Sequence, residues 1–381
     1  MKEWLISVDD HVVEHPRVWT ERLSPSRWGE RIPRLIELPD GSERWIADGQ
    51  PVPLNGVAPV GALLSDRATT PRRWDEVPSA AYDPSARLQA MDADGVDYSV
   101  LYPSVAGLAG ETFGRLADPD FELACVQAYN DWLIDEWAAA SPRFIPQCIL
   151  PLYPPTAALR ELERAVARGH RGVVYPAIPM HLRDVPHVNN PEYDPIWDAC
   201  QSLGIPVCFH AGFSDRVCLP VYEGLSPRVA AALEAVTRPA SGVFAVVNVI
   251  FSRILQRFPR LQVVFAESGL GWGTFLLEYA DHQFEQDHCE GYELVPSQFF
   301  RRQCYFTSWY DPVTPHARHI GIDRILWGTN FPMATSTWPE TRAYLERCVE
   351  GLSDDARRRV LSGNAAALYG VQLEVQTEES A

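Results

Sequence analysis

The chain has 381 residues, 46% of them hydrophobic and 22% charged, with a formal net charge of −17. This is the composition of a globular protein with a large core, and the length suits one α/β barrel carrying insertions. The acidity, with no basic run to neutralise phosphates, excludes a nucleic-acid partner.

In chain order, the first predicted strand is EWLISV (3–8). Residues 12–83 then break the pattern. They are rich in Pro, Trp and Arg and hold a predicted hairpin, LIELPDGSERWIADG, turning at Asp40-Gly41. A helix over 84–95 leads to strands YSVLYP (98–103) and FIPQCIL (144–150). The stretch 155–172 reads as an amphipathic helix, with Leu159, Leu162, Ala165 and Val166 on one face and Gly169 near its end. Strands follow at GVVYP (172–176), PVCFH (206–210), LQVVFAE (261–267), CYFT (304–307) and RILWGT (324–329). Each run is short and continuously apolar, as parallel strands buried on both faces are. Eight such strands alternating with helices predict a (β/α)₈ barrel over residues 1–370, and an open doubly wound sheet would give a similar string. Residues 12–83 form an insertion after the first strand, read as a lid over the active-site face or as a subunit contact. Residues 371–381 form an acidic tail. No strand leads into G-x-G-x-x-G or a P-loop, which disfavours nucleotide binding.

The opening MKEWLISVDDH does not read as a signal peptide, and no run of 18 apolar residues predicts a membrane span. The eight cysteines contain no C-x-x-C, and several sit in apolar runs, such as Cys148 and Cys208. They read as buried, reduced thiols of a cytoplasmic protein.

Barrel enzymes carry their reacting groups at the C-terminal strand ends. There the sequence offers Asp9, Asp10 and His11 on the first strand, His210 on the fifth, Glu267 on the sixth and Asn330 on the eighth. Asp9 and His11 are two apart and share one face of an extended chain, where a carboxylate and an imidazole suit zinc or a similar divalent ion. Burying Asp9, His11, His210 and Glu267 apart from one another would be expensive, so they are expected to share a partner.

With these residues assembled, the chain resembles the amidohydrolase-related family, in its branch of aminocarboxymuconate-semialdehyde decarboxylase-like enzymes. The blocks SVDDHVVEHPRVW, AYNDWLIDEW, GHRGVVYPAIP, YDPIWDACQSLGIPVCFHAG, FAESGLGW, FFRRQCYFT, ILWGTNFPMATSTWPE and SGNAAALYG carry the likeness. It implies a mononuclear metal, zinc or manganese, on Asp9, His11 and His210, with Glu267 and Asn330 completing the site. It also implies a small-molecule substrate and a homo-oligomer, a dimer. Asn330 departs from the family motif, which has aspartate there, and Met333 stands where relatives often have histidine.

An amide cannot take a proton from attacking water and binds a divalent ion more weakly than a carboxylate. Three consequences follow. Glu267 serves as base in a hydrolase of an amide, ester or lactone. Or the reaction is decarboxylation of a cyclic or aromatic acid, which needs no hydrolytic base. Or the metal is lost and the pocket binds a ligand without it. Decarboxylation is the favoured expectation, with His210, Glu267 and Asn330 as catalytic residues.

Elsewhere, Glu14 is expected to orient His11 or to pair with Arg17, and His170 to favour a helix C-terminus as a cation. His181 and His187 follow the fourth strand and could reach the pocket mouth. Trp272 and Trp309 are placed either to stack on a flat substrate or to pack. Ser268 lacks a nucleophile-elbow surround, and Arg301 and Arg302 lie at the wrong end for chemistry and are read as ion-pairing.

Overall fold

The computed structural model describes residues 2–210 and 224–373. Eight parallel strands run in chain order around one sheet: β1 Ile6–His11, β2 Tyr98–Tyr102, β3 Phe144–Ile149, β4 Gly172–Val174, β5 Val207–His210, β6 Val263–Ala266, β7 Cys304–Ser308 and β8 Ile325–Trp327. Helices follow the strands and cover the outside. Strands β1, β5 and β6 are buried along their whole length, which is why β6 and most of β5 read as apolar runs, while β1 carries its polar triplet inside the barrel.

The sheet closes on itself just past β8. The Asn330 N–H donates to the Asp9 carbonyl at 2.7 Å, and the His11 N–H donates to the Phe331 carbonyl at 2.6 Å. Closure brings two backbones together at Gly328, where a Cβ would lie 2.8 Å from the Asp9 Cβ. Glycine is therefore the residue that lets β8 reach β1.

Strand β1 starts and ends later than the sequence predicts, at Ile6–His11 rather than 3–8. The polar triplet lies inside the ladder: Asp10 pairs with Leu101 and His11 with Tyr102, across an irregularity after Ser7. Apolar content misplaced this boundary because Asp9, Asp10 and His11 are buried too. The predicted helix 155–172 ends at Arg168, where Gly169 turns left-handed (φ 115), and Gly172 already begins β4. The helix after the insertion, Pro84–Asp94, is capped by the Asp83 carboxylate and stopped by left-handed Gly95.

The insertion holds the predicted hairpin, Arg34–Glu37 against Glu43–Ala47, together with an unpredicted third strand, Gln50–Pro51. It docks on the loop after β8. The Ala62 N–H donates to the Pro332 carbonyl, and the Arg67 guanidinium donates to the Ala334, Ser336 and Trp338 carbonyls. Gly61 permits this contact, because a Cβ there would fall 2.7 Å from the Ala334 Cβ.

Residues Arg228–Phe251 have the length and mean hydropathy (1.3) of a segment that could cross a bilayer, although Arg228, Glu234 and Arg238 interrupt it, so it is not the run of 18 apolar residues that the sequence lacks. In the fold they form two helices, Pro227–Thr237 and Ala240–Phe251. Ala245, Val246, Val249 and Ile250 of the second helix pack into the barrel's outer core. Among the described residues all seven cysteines are free thiols, six of them buried.

His170 is not the cation expected at its helix end. It is 2% exposed, its Nε2 bonds the Asn130 carbonyl at 3.0 Å, and burial pushes its pKa down to about 4. The folded chain keeps the ring neutral, while an unfolded chain takes up the proton below the ordinary value of 6.5. Its contribution is therefore whole above pH 6.5 and is lost as pH falls toward 4, amounting to about 3 kcal/mol. Urea midpoints measured from pH 7 to pH 4 should fall less steeply for His170→Gln than for the native chain.

Candidate metal centre

Asp9 and His11 point into the barrel from alternate positions of β1, and His210 enters from the end of β5. One ligand atom from each lies within 4.8 Å of the others, and all three residues are buried. Asp9 Oδ1 sits 3.4 Å from His11 Nε2 and 3.2 Å from His210 Nε2. Burial by itself would raise the Asp9 carboxyl, but the His210 and His11 rings beside it hold it well below the usual carboxylate range.

Glu267 follows β6 and Asn330 follows β8, and both adopt left-handed backbone, with φ 50 and φ 56. That conformation is strained for a side chain such as glutamate and tolerated by asparagine. At Glu267 it coincides with an N–H that donates to Asp9 Oδ2 at 2.9 Å. The Glu267 Oε2 lies 3.9 Å from His210 Nδ1. Asn330 spends both amide hydrogens, one on Glu267 Oε1 at 3.0 Å and one on Thr335 Oγ1 at 2.8 Å. Its oxygen is thereby fixed on the opposite side.

The remaining polar atoms test whether this set fits an ion. His11 Nδ1 lies 3.1 Å from the Pro103 carbonyl. A carbonyl can only accept, so Nδ1 carries a hydrogen, and Nε2, which faces Asp9 and His210, is the ring nitrogen that would ligate an ion. His11 Nε2, Glu267 Oε2 and Asn330 Oδ1 are all buried without a hydrogen-bond partner. Three such atoms beside a buried carboxylate have the chemistry of a donor set that could hold a divalent cation.

Several contributors carried no recognisable signal in sequence. Arg238, at the break between the two helices, holds Nη1 3.8 Å from Glu267 Oε1 and pairs with Glu234 at 2.8 Å. Thr335 fixes the Asn330 amide. Asp10 had a legible signal in its parity, since a residue between two inward-facing neighbours must face out. Its carboxylate accepts from Ser7 at 2.8 Å, Ser99 at 2.5 Å, Thr329 at 2.5 Å and the Phe331 N–H at 3.1 Å. It is the joint between β1, β2 and the closing segment after β8.

Glu14 does not pair with Arg17, whose ion pair is with Glu21. It is buried and accepts from the Ser104, Val105 and Ala106 N–H groups. Burial pushes its carboxyl up to about 7, against those donors, which favour the ionised form. Trp272 donates to the Ser268 carbonyl and packs edge-on to Phe306, and Trp309 is buried against Tyr310. Ser268 bonds the β7 backbone at Thr307, and His187 accepts from the Asn189 N–H. Arg302 pairs with Glu293, as expected, whereas Arg301 donates to the His319 carbonyl.

A cleft of about 160 Å³ opens on this face, and its lining includes Leu54, Pro59, Leu108, Ala235, Met333 and Ala334. His181, His187, Trp272 and Trp309 do not line it, and neither do Asp9, His11 and His210. Three lining residues connect the cleft to the cluster: Ser104, which follows Pro103; Arg238, beside Glu267; and Thr335, bonded to Asn330.

Fold and site define a (β/α)₈ barrel with a carboxylate–imidazole centre at its strand ends. A family model described as amidohydrolase matches residues 47–371, and the chain belongs to that family. The match begins after β1, so Asp9 and His11 stand on the geometry above. The chain is 24% identical to 2-amino-3-carboxymuconate-6-semialdehyde decarboxylase of Dictyostelium discoideum over 312 residues, 78% of this chain and 79% of that protein. It is 25% identical to gamma-resorcylate decarboxylase of a Polaromonas strain over 330 residues, 78% and 90% of the two chains. Among solved structures, a Polaromonas dihydroxybenzoic acid decarboxylase with bound manganese and the inhibitor 2-nitroresorcinol superposes with a TM-score of 0.64 at 18% identity. That match covers 97% of this chain and 98% of the other.

If Asp10 is the closing joint, Asp10→Ala should lower the unfolding free energy by about 3 kcal/mol, since it strands several buried donors. Ser99→Ala, which removes one donor, should cost about 2 kcal/mol. Urea denaturation of the two variants checks the order.

Proposed function

We propose that this chain is a metal-dependent carboxy-lyase that removes the carboxylate of a small aromatic acid. The observation that carries the reading is the pairing of a complete Asp9–His11–His210 donor set with an amide, Asn330, where the family's hydrolytic base would stand. Asp9, His11 and His210 would hold the ion, with Glu267 Oε2 and Asn330 Oδ1 as neighbouring oxygens. When bound, a divalent ion supplies a positive centre for the substrate carboxylate and an adjacent oxygen. Its identity is zinc by ligand chemistry or manganese by likeness to the structural neighbour.

In this reading the bond between ring carbon and carboxylate breaks, carbon dioxide leaves, and the ring carbon takes one proton. We assign delivery of that proton to Glu267. The support is its buried Oε2, which makes no hydrogen bond, with Oε1 already engaged by Asn330 and Arg238 nearby. Once the proton is given up Glu267 is a carboxylate, and Arg238 Nη1, 3.8 Å from its Oε1, offsets that charge until a proton from water restores it. The cleft, with apolar walls from Leu54, Pro59, Leu108 and Met333, suits one flat ring. The insertion is then a wall that selects the substrate, anchored by Arg67 on the loop after β8. Buried free thiols support a reducing, cytoplasmic setting. The exposed Val236, Phe244, Phe275 and Tyr279 support a dimer. A metal-free reading is disfavoured, because it leaves both imidazoles crowded on one carboxylate oxygen, with Glu267 Oε2 and Asn330 Oδ1 buried and without a hydrogen bond.

The purified protein, loaded with manganese or zinc, should release carbon dioxide from members of a hydroxybenzoate panel and leave ester and amide panels untouched. Chelation should abolish the release. Asp9→Ala and His210→Ala should lose the ion, as read by elemental analysis; release that persists without metal would reject the proposal.

Replacing Asn330 by aspartate sets two carboxylates side by side and removes the hydrogen bond to Glu267. For Asn330→Asp, metal affinity should rise, tenfold for about each 1.4 kcal/mol of added attraction. Carbon dioxide release should fall, as measured in the same assay.

A further inference from the structure

We propose that Glu14 is the positioning residue of this centre: it fixes the turn after β2, and through the Pro103 carbonyl it holds His11 with Nε2 facing Asp9 and His210. The inference rests on the metal-centre reading and adds a residue to it.

The turn directly after β2 presents three successive N–H groups, those of Ser104, Val105 and Ala106. Glu14 accepts all three, at 3.2 Å (with 3.3 Å to its other oxygen), 2.7 Å and 3.0 Å, and has no exposed surface. Consecutive backbone N–H groups that converge in this way form a nest for an anion, and here the anion belongs to the chain itself. Glu14 stands three residues beyond His11, and the Val12 N–H donates to the Tyr102 carbonyl at 2.9 Å. The segments carrying the ligand and its acceptor are thus stitched together on both sides of Pro103. The Pro103 carbonyl has one placement while the nest is filled, and its bond to His11 Nδ1 sets both tautomer and ring orientation. A glutamine would keep the shape, but it has one accepting oxygen and would aim its NH₂ at the remaining N–H donors. The turn would then shift and release His11 to the other tautomer.

The test uses full-length protein and Glu14→Gln, with Glu122→Gln as a matched control. Glu122 is also a buried backbone-gripping glutamate, bonded to the Leu152 N–H just after β3 and to Arg183. In metal-free protein carrying ¹⁵N-labelled histidine, His11 is assigned by loss of its signal in His11→Gln. The wild type and Glu122→Gln should show one protonated Nδ1 with a bare Nε2, whereas Glu14→Gln should show shifts averaged between tautomers. With manganese as probe, chelator competition should give a dissociation constant 10–100-fold weaker, on the order expected for loss of an orienting partner, in Glu14→Gln. Glu122→Gln should stay within about twofold of wild type. Unchanged His11 shifts in Glu14→Gln, or equal losses of affinity in both variants, would overturn the proposal. If the wild type binds neither manganese nor zinc, the proposed function fails, and the nitrogen shifts still decide the role of Glu14.

Discussion

Asp9 is where four strands meet. Its side chain faces one imidazole from its own strand and one from β5, its second oxygen takes the N–H that follows β6, and its carbonyl takes the N–H that follows β8. A buried carboxylate is tolerated only when charge and lone pairs are satisfied, so this residue constrains the barrel mouth more tightly than any apolar contact could. The chemistry and the closure of the sheet thus share one residue, and neither could drift without the other.

The neighbouring Asp10 shows how strand geometry divides labour between adjacent side chains of the same type. One faces the lumen with the histidines; the other faces outward and collects three hydroxyls and a backbone N–H. Burial raises the Asp10 carboxyl, whereas the imidazoles win over burial at Asp9. The contrast follows from the two-residue period of the strand and the partners each face supplies. Gly328 completes the joint by letting two backbones approach where any side chain would collide.

Asn330 gives the centre a hydrogen-bond donor at the end of β8. An aspartate beside Glu267 would place two acceptors together, whereas the amide donates to Glu267 and to Thr335 and turns its oxygen away. The loop bearing it is clamped from outside by Arg67 of the insertion. The segment that interrupts the barrel pattern is therefore mechanically tied to the loop that carries Asn330.

Eight short apolar runs separated by helical stretches determine a parallel sheet covered by helices, and the closing bonds between the segment after β8 and β1 decide for the barrel over the open sheet. The two-residue spacing of Asp9 and His11 likewise determines that they share a face, and the DG turn determines the hairpin in the insertion. The edges of β1 were decided by tertiary structure, since a buried polar triplet looks like a loop until its partners are known. Tertiary structure also brought Glu14 to the turn after β2, 90 residues away in sequence, drew Arg238 toward Glu267, and made His170 a neutral buried ring rather than a helix-end cation. These outcomes depend on which donor, acceptor or charge lies across a gap that chain closure creates, and local residue order carries no record of that distance.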